Sequence, residues 1–329
     1  MNYFQKRHQC FFFDEIQVIP GFEKGLKYLL NRGYPIFISG SSAQLSAHEL
    51  ASVLRGKALE IPLLPLNFKE FLLFKGHTIK RHYSTKERGA LYQHLGDFLQ
   101  WGGFPEVVLS EKEITKRNLI KSYIDSMLFR DIVERQNLAN TFLVDKLFYK
   151  LAASFTKQIS VNKWYNDFKS EGLKISKDTL YQYLKYFEET RYIYLLENAC
   201  GGRTSLKKVY LVDNGIYQCA RGFSPDYGKL FENQIFRDCL LTGHSVAFLG
   251  KDDCKTDFLV KEQAIQACYS LNDKNFEREI KGALYALKRK HIKRGIIAVA
   301  SDERYERRAQ DMAGVSVFHY AAILHTPFA

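Results

Sequence analysis

Two carboxylates, Asp14 and Glu15, end the first apolar run of the chain, "FFFDEI". A carboxylate at such a strand end can hold a magnesium ion, and its neighbour can orient an attacking water for phosphoryl transfer. A second apolar run, "YPIFISGSS", ends in the hydroxyls of Ser39, Ser41 and Ser42. These side-chain types are the ones that the metal side of a nucleotide site requires.

A second set of polar residues lies in the C-terminal third of the chain. Glu232 falls in a helical pattern, Asp257 in the short strand "KTDFLV" and Gln266 in the strand "AIQACYSL". An acid on a helix, followed by acids on two strands with a lysine, is the layout of the PD-(D/E)xK nuclease fold, which gathers carboxylates around magnesium. The third motif reads Gln266-Ala267-Cys268, so a carboxylate and the lysine are missing. We predict an inactive nuclease-like domain, with a metal-dependent nuclease as the alternative.

A third set of residues suits nucleic acid. Three helical patterns followed by a β-hairpin, between about residues 141 and 209, are typical of a winged helix-turn-helix, whose third helix enters the major groove. The residues that we predict to contact DNA lie on that helix and on the hairpin: Lys177, Tyr181, Gln182, Lys185, Arg203, Lys207 and Lys208. The alternative is a module that packs against protein, since the acids Glu188 and Glu189 end the helix.

The elements that must position Asp14 and Ser39 alternate strand, helix and strand. Both apolar runs lack polar alternation, which predicts a parallel α/β sheet covered on both faces. The segment "SAQLSAHELASVLRGK" then predicts a helix, and "ALEIPLLPL" predicts a third strand. Residues from about 77 to 136 have helical spacing, interrupted by "GGFP".

The run from "FFFDEIQVIPGFEKGLKYLLNRGYPIFISGSS" to "PLNFKEFL" resembles the second half of the ATPase core in a prokaryotic AAA+ family with a conserved C-terminal domain. The resemblance continues through "GGFPEVVL", "MLFRDIVER", "YLVDNGI", "GKLFENQIF" and "TDFLV", and so covers nearly the whole chain. It implies that Asp14 and Glu15 belong to Walker B and that Ser39, Ser41 or Ser42 senses the γ-phosphate. It also implies ATP and magnesium as cofactors, and Pro105 in a lid turn near the nucleotide.

The phosphate loop G-x-x-x-x-G-K-[ST] does not occur in the sequence, and only thirteen residues precede Asp14. A strand, loop and helix in a crossover unit need about 30 residues. We therefore expect an N-terminally shortened family member that does not hydrolyse ATP alone, with a partner or a homo-oligomer completing the core. The alternative is that Asp14 and Glu15 merely solvate a strand end.

Composition sets the remaining expectations. A formal charge of +12 favours polyanionic partners, with DNA as the candidate. The six cysteines show no C-x-x-C spacing, which favours reduced thiols. The absence of a long apolar run predicts no membrane contact and a cytoplasmic location. The predicted fold is an α/β chain with a partial AAA+ P-loop core, a helical lid, a winged helix-turn-helix and a restriction-endonuclease-like α/β domain, at residues 1–75, 76–140, 141–209 and 210–329.

Overall fold

A computed structural model of the chain shows a mixed α/β fold. It describes residues 10–16, 19–40, 59, 61–80, 82–201, 206–221, 224–251, 254–289, 291–300 and 314–320. The chain divides into two compact units, the first formed by Met1–Leu63 with Glu189–Arg191 and the second by Leu64–Glu188 with Tyr192–Ala329.

The first unit contains the predicted strand, helix and strand. Strand β1 (Phe11–Phe13) pairs in parallel with β2 (Ile36–Ile38), and helix α1 (Phe22–Asn31) connects them. Gly33 follows the helix with a φ of 76°, a left-handed conformation that glycine adopts without strain. The local pattern of apolar runs and glycine was therefore sufficient to predict these three elements.

The predicted cover on both faces of this sheet is not found among the described residues. The rings of Phe12 and Phe37 stack at 5.0 Å and are 75% and 58% exposed. The third predicted strand is also absent at the described positions 59 and 61–64, where Leu63 is 93% exposed. An apolar run forms a strand only when a neighbouring strand accepts its hydrogen bonds, so the pattern alone could not place it. The helix predicted from residue 42 lies outside the described residues.

The second unit begins with a series of helices. A reciprocal capping box starts α2, in which the Asn67 side chain accepts from the Glu70 N–H and the Glu70 carboxylate accepts from the Asn67 N–H. Ser84 and Glu87 cap α3 in the same way. The helical segments of this region are α2 (Phe68–Phe74), α3 (Thr85–Trp101), α4 (Pro105–Leu109), α5 (Glu113–Ser126) and a π-helical continuation (Met127–Glu134).

Helix α2 lies in the second unit, although the sequence placed residues up to 75 with the N-terminal core. Phe68 and Phe71 are buried, and their ring centroids lie 5.5 and 5.2 Å from that of Phe98 on α3. Burial of these aromatic rings stabilises the packing of α2 on α3. The boundary between the compact units therefore falls at residue 63.

The three helices and the hairpin predicted between residues 141 and 209 are present. Ser160 and Ser176 accept hydrogen bonds from the backbone N–H groups of Lys163 and Thr179, so both serines cap helices as expected. The three strands form an antiparallel sheet in the order β3-β5-β4. The elements are α6 (Thr141–Ala153), β3 (Gln158–Ile159), α7 (Val161–Ser170), α8 (Lys177–Glu189), β4 (Ile193–Leu196) and β5 (Lys207–Leu211).

A five-stranded mixed sheet follows, in the order β10-β9-β8-β7-β6. Strands β6, β7 and β8 pair antiparallel, whereas β8, β9 and β10 pair in parallel. The elements are α9 (Asn214–Arg221), α10 (Tyr227–Leu241), β6 (Val246–Lys251), β7 (Cys254–Val260), β8 (Gln263–Cys268), α11 (Asp273–Leu287), β9 (Arg294–Val299) and β10 (Val315–His319).

Among the described residues, an extended hydrophobic core runs through the second unit beside two smaller buried clusters. It extends from Phe68 on α2, through Phe148 and Phe187, to Phe258 and Tyr320 beside the mixed sheet. The segments predicted as lid, winged helix and nuclease-like domain therefore share buried side chains. Their exact boundaries stay predictions.

Candidate functional site

Asp14 and Ser39 lie together at the carboxyl ends of β1 and β2. The Ser39 hydroxyl donates a hydrogen bond to Asp14 Oδ1, and both residues are exposed. The backbone continues the parallel pairing beyond the strands, since the Ser39 N–H donates to the Phe13 carbonyl at 2.8 Å and the Glu15 N–H to the Ser39 carbonyl at 3.1 Å. Adjacent parallel strands therefore bring a carboxylate and a hydroxyl to one edge.

Glu15 adopts a φ of 47°, which is uncommon for a residue with a Cβ. Such left-handed backbone costs about 1 kcal/mol or more and turns the chain sharply after the strand. The turn leaves Asp14 exposed and Glu15 half-buried. Ser41 and Ser42 lie outside the described residues, so their predicted roles stay predictions.

Pro105 occupies the first position of α4, where its missing N–H is not needed. The preceding turn is packed inside the second unit. The Gly103 N–H donates to Asp213 Oδ2 at 2.7 Å, and a Cβ at Gly102 would lie 1.7 Å from Asp213 Oδ1. This turn therefore has a structural role beside the motif "YLVDNGI". Its predicted approach to a nucleotide stays a prediction.

A buried charged cluster joins three elements of the second unit. Lys208 on β5 places its Nζ 3.1 Å from Glu232 Oε1 on α10 and 3.2 Å from Asp257 Oδ1 on β7. The three side chains are 9%, 17% and 14% exposed, respectively. Tyr210, two residues along β5, donates its hydroxyl to Glu232 Oε1 at 2.7 Å. The predicted acids Glu232 and Asp257 are thus brought together around a lysine that was not assigned to them.

Gln266 lies on the other side of Asp257. Its Oε1 accepts from the Asp257 N–H at 3.3 Å, while the Ala267 N–H donates to Asp257 Oδ2 at 3.1 Å. Glu279 on α11 is 3% exposed and is hydrogen-bonded to Gln266. Sequence reasoning missed this buried acid, because a glutamate inside an amphipathic helix carries no motif.

Burial and charge act in opposite directions in this cluster. Burial raises the pKa of Glu232 to about 7, although Lys208 pulls it down. Burial opposes the charge on Lys208, but Glu232 and Asp257 outweigh it and raise the pKa of the ammonium. The pKa values of Glu232 and Lys208 can both be raised because one ammonium faces two carboxylates. The negative charge of Asp257 disfavours the ionised form of Glu232, while both carboxylates favour the charged form of Lys208. Lys208 is therefore firmly protonated at neutral pH.

The prediction that Lys208 contacts DNA is wrong. Its side chain points into the second unit, where the ammonium also lies 5.5 Å from the centre of the Phe248 ring. A buried and doubly paired ammonium is unavailable to a phosphate. One feature of the sequence could have indicated that Lys208 is buried. Side chains alternate along a strand with a period of two, which puts Lys208 on the same side of β5 as Tyr210.

The other residues predicted to contact DNA differ in their placement. Lys207 is partly exposed and lies 3.3 Å from the Glu197 carboxylate. Arg203 lies outside the described residues. The four residues of α8 are exposed, namely Lys177, Tyr181, Gln182 and Lys185. Residues four apart share a helix face, so the two lysines and the tyrosine lie along one side of α8.

No described helix is long and apolar enough to cross a membrane. Nor are three or more histidine, cysteine or acidic side chains of the described residues arranged to hold a metal ion.

Two segments of the chain match known protein families. Residues 1–72 match the family described as an AAA domain, and residues 92–227 match a domain of unknown function, DUF8612. The first match agrees with the AAA part of the predicted resemblance. No solved structure matches the chain significantly.

Two curated relatives are similar over most of the chain. The uncharacterized protein MJ1544 of Methanocaldococcus jannaschii is 36% identical over 318 residues, which cover 93% of this chain and 72% of the relative. An uncharacterized protein of Haemophilus influenzae is 30% identical over 258 residues, which cover 77% of this chain and 62% of that relative, less than two thirds of its length.

Proposed function

Because the chain belongs to the family of the Methanocaldococcus jannaschii protein MJ1544 and begins with an AAA domain, we propose that it is an AAA-type protein that binds ATP at the strand ends of its first unit. The hydrogen bond between Ser39 and Asp14 carries this proposal. It pairs a carboxylate with a hydroxyl across adjacent parallel strands, the edge at which α/β sheets bind their ligands.

The side chains at this edge suit magnesium. Magnesium prefers hard oxygen ligands and keeps several of its waters, so one exposed carboxylate such as Asp14 could hold it through a water together with the nucleotide phosphates. The ion would supply positive charge to the phosphates. In this proposal Glu15 would orient an attacking water, and Ser39 would contact a γ-phosphate.

The phosphates also need a cradle of backbone N–H groups and a lysine. That sequence is absent from these 329 residues. We therefore assign the phosphate loop to a segment or partner outside these residues, and we expect weak ATP binding and no hydrolysis by these 329 residues alone.

The experiment is a titration of the purified chain with a fluorescent ATP analogue, with and without magnesium. Binding is expected only with magnesium, and Asp14→Asn should weaken it by about tenfold or more because the metal loses its carboxylate. The matched control is Glu23→Gln on α1, which removes a negative charge from the same unit and should leave binding unchanged.

Two results would count against the proposal. If neither magnesium nor Asp14→Asn changes the affinity for the ATP analogue, the nucleotide does not bind at this edge of the sheet. A magnesium-dependent hydrolysis rate that disappears in Glu15→Gln would contradict the need for an outside phosphate loop.

The exposed face of α8 favours a second function, DNA binding by a winged helix. Three helices with a three-stranded antiparallel sheet support this proposal, in which α8 would be the groove-binding helix. Lys177 and Lys185 stand two turns apart with Tyr181 between them, which suits contact with successive phosphates and a base edge. The Lys177 ammonium lies 5.4 Å from the centre of the Tyr165 ring on α7.

Fluorescence anisotropy with a labelled DNA duplex tests this second function. The affinity should fall by at least about tenfold between roughly 50 and 200 mM salt, because bound lysines release counterions from the phosphates. Lys177→Ala with Lys185→Ala should lower the salt slope by about 2, one for each phosphate contact.

A matched variant, Lys274→Ala with Lys281→Ala on α11, removes the same charge from exposed positions elsewhere in the second unit. It should retain the affinity. Equal losses in the two double variants would mean general charge attraction, and no measurable binding would leave α8 as a protein-contact surface.

For the C-terminal sheet we propose a nuclease-like fold without nuclease activity. The order α10, β6, β7, β8, α11 and β9, with a meander followed by a parallel strand, supports the resemblance. Gln266 stands where a metal-binding carboxylate is expected, and Lys208 occupies the space between the two remaining acids. Nicking of plasmid DNA that is lost in Asp257→Ala would revive the alternative of a working nuclease.

A further inference from the structure

The cluster of Lys208, Glu232 and Asp257 connects two sheets that have no strand in common. Lys208 belongs to the three-stranded sheet, and Asp257 to the five-stranded sheet. Glu232 comes from α10, which lies between them in the chain. Lys208 Nζ lies 3.1 Å from Glu232 Oε1 and 3.2 Å from Asp257 Oδ1, so the two carboxylates share one ammonium.

Neutral groups donate further hydrogen bonds to the two carboxylates, one of them to the Glu232 Oε1 atom that Lys208 also contacts. Tyr210 donates to Glu232, and the Ala267 N–H donates to Asp257 Oδ2. A divalent ion bridging Glu232 and Asp257 would have to sit within a few ångströms of the Lys208 ammonium. Two cations so close in a buried site repel each other strongly. In this arrangement the lysine and a bridging metal ion compete for the same two oxygens, Glu232 Oε1 and Asp257 Oδ1.

We infer that Lys208 is the built-in cation of this cluster and clamps the β4–β5 hairpin onto the mixed sheet in place of a metal ion. The inference is independent of ATP or DNA binding.

Backbone contacts beside the clamp run between the same two sheets. The Phe248 N–H on β6 donates to the Glu197 carbonyl at 3.0 Å, and the Ala199 N–H donates to the Phe248 carbonyl at 2.8 Å. The Asn198 side chain donates to the Gly250 carbonyl at 2.8 Å. These bonds attach the end of β4, whereas Lys208 attaches β5. The hairpin is thus held at both of its strands.

The test compares wild type, Lys208→Met and the neighbouring Lys207→Met by thermal unfolding, with and without Mn²⁺. Lys208→Met should lower the melting temperature by about 10 °C, because two buried carboxylates lose their counter-charge. Lys207 pairs with an exposed carboxylate, so its variant should change little. At ten times the dissociation constant or more, Mn²⁺ should raise the melting temperature of Lys208→Met by about 3 °C or more.

Wild type should show no such rise with Mn²⁺, and the double variant Lys208→Met, Asp257→Asn should lose it. If Lys208→Met is unfolded, recovery of its circular dichroism with Mn²⁺ replaces the melting shift as the expected result. Failure of the folded or the unfolded variant to respond to Mn²⁺ would overturn the inference. So would Mn²⁺ binding by wild type, measured by electron paramagnetic resonance, that Asp257→Asn abolishes.

Discussion

The two acidic sites of this chain differ in what surrounds their carboxylates. In the first unit, Asp14 is exposed and meets the neutral hydroxyl of Ser39. In the second unit, Glu232 and Asp257 are largely buried and meet the ammonium of Lys208. Asp14 follows an apolar strand, Asp257 lies on one, and Glu232 lies on α10, and both sites resemble metal-binding layouts in sequence.

The difference follows from solvation. Water stabilises an exposed carboxylate, which therefore needs no counter-charge from the protein when no ligand is bound. A buried carboxylate must be paired or protonated, and here the chain provides both a lysine and a raised pKa at Glu232. The first site is thus open to an ion from solution, and the second is neutralised from within.

The largest expected effect comes from breaking the buried pair. Asp257→Asn keeps an oxygen for the Ala267 N–H but removes a negative charge beside Lys208. We expect a loss of about 3 kcal/mol in the free energy of unfolding, at the low end for a broken buried pair because Glu232 remains. Urea denaturation followed by tryptophan fluorescence measures it. A loss below about 1 kcal/mol would mean that water already screens the cluster.

The pH dependence of stability sharpens the same contrast. The folded-state pKa of Glu232, about 7, lies above its ordinary value of 4.5. Between these pH values the folded chain holds a proton that the unfolded chain has released, so stability falls as the pH rises. This contribution should amount to about 2 kcal/mol across the window.

Glu232→Gln cannot titrate and should therefore flatten the slope between pH 5 and 7. Urea denaturation of both proteins at several pH values provides the comparison. Parallel slopes in the two proteins would assign the pH dependence to other buried acids, such as Asp238, whose pKa burial raises to about 6.

A smaller effect is expected from the tyrosine of the cluster. Tyr210→Phe removes the hydroxyl that donates to Glu232 at 2.7 Å while keeping the ring between Phe236 and Phe258. Loss of a hydrogen bond to a charged or partly charged group should cost about 1.5 kcal/mol. Urea denaturation at pH 8, where Glu232 is mostly ionised, measures it. An unchanged stability there would show that a water replaces the hydroxyl.

The smallest effect is expected at the exposed site. Asp14→Asn should change the stability by less than about 0.5 kcal/mol, since surface substitutions away from buried networks have small effects. Thermal unfolding without nucleotide provides the measurement. A large loss would show that Asp14 holds its strand end together, which would favour the structural alternative over a ligand-binding role.

Local patterns predicted much of the fold. Apolar runs gave β1 and β2, and serines at 160 and 176 marked the starts of α7 and α8, because capping depends on neighbours three residues away. Strand β6 was missed, although the turn residues "TGHS" precede its sequence "VAFLGK" and Gly243 adopts a left-handed φ of 70°. The third N-terminal strand was predicted wrongly at the described positions, because a strand depends on a partner that local sequence does not specify.

The sequence alone determined which residue types could do chemistry and in which elements they lie, since periodicity and capping act over a few residues. Only the tertiary structure decided their surroundings. It turned Lys208 inward to Glu232 and Asp257, added Glu279 beside Gln266, and left Asp14 exposed. Charge pairing and burial depend on contacts between residues as far apart as 49 positions, from Lys208 to Asp257, and no local pattern encodes such contacts.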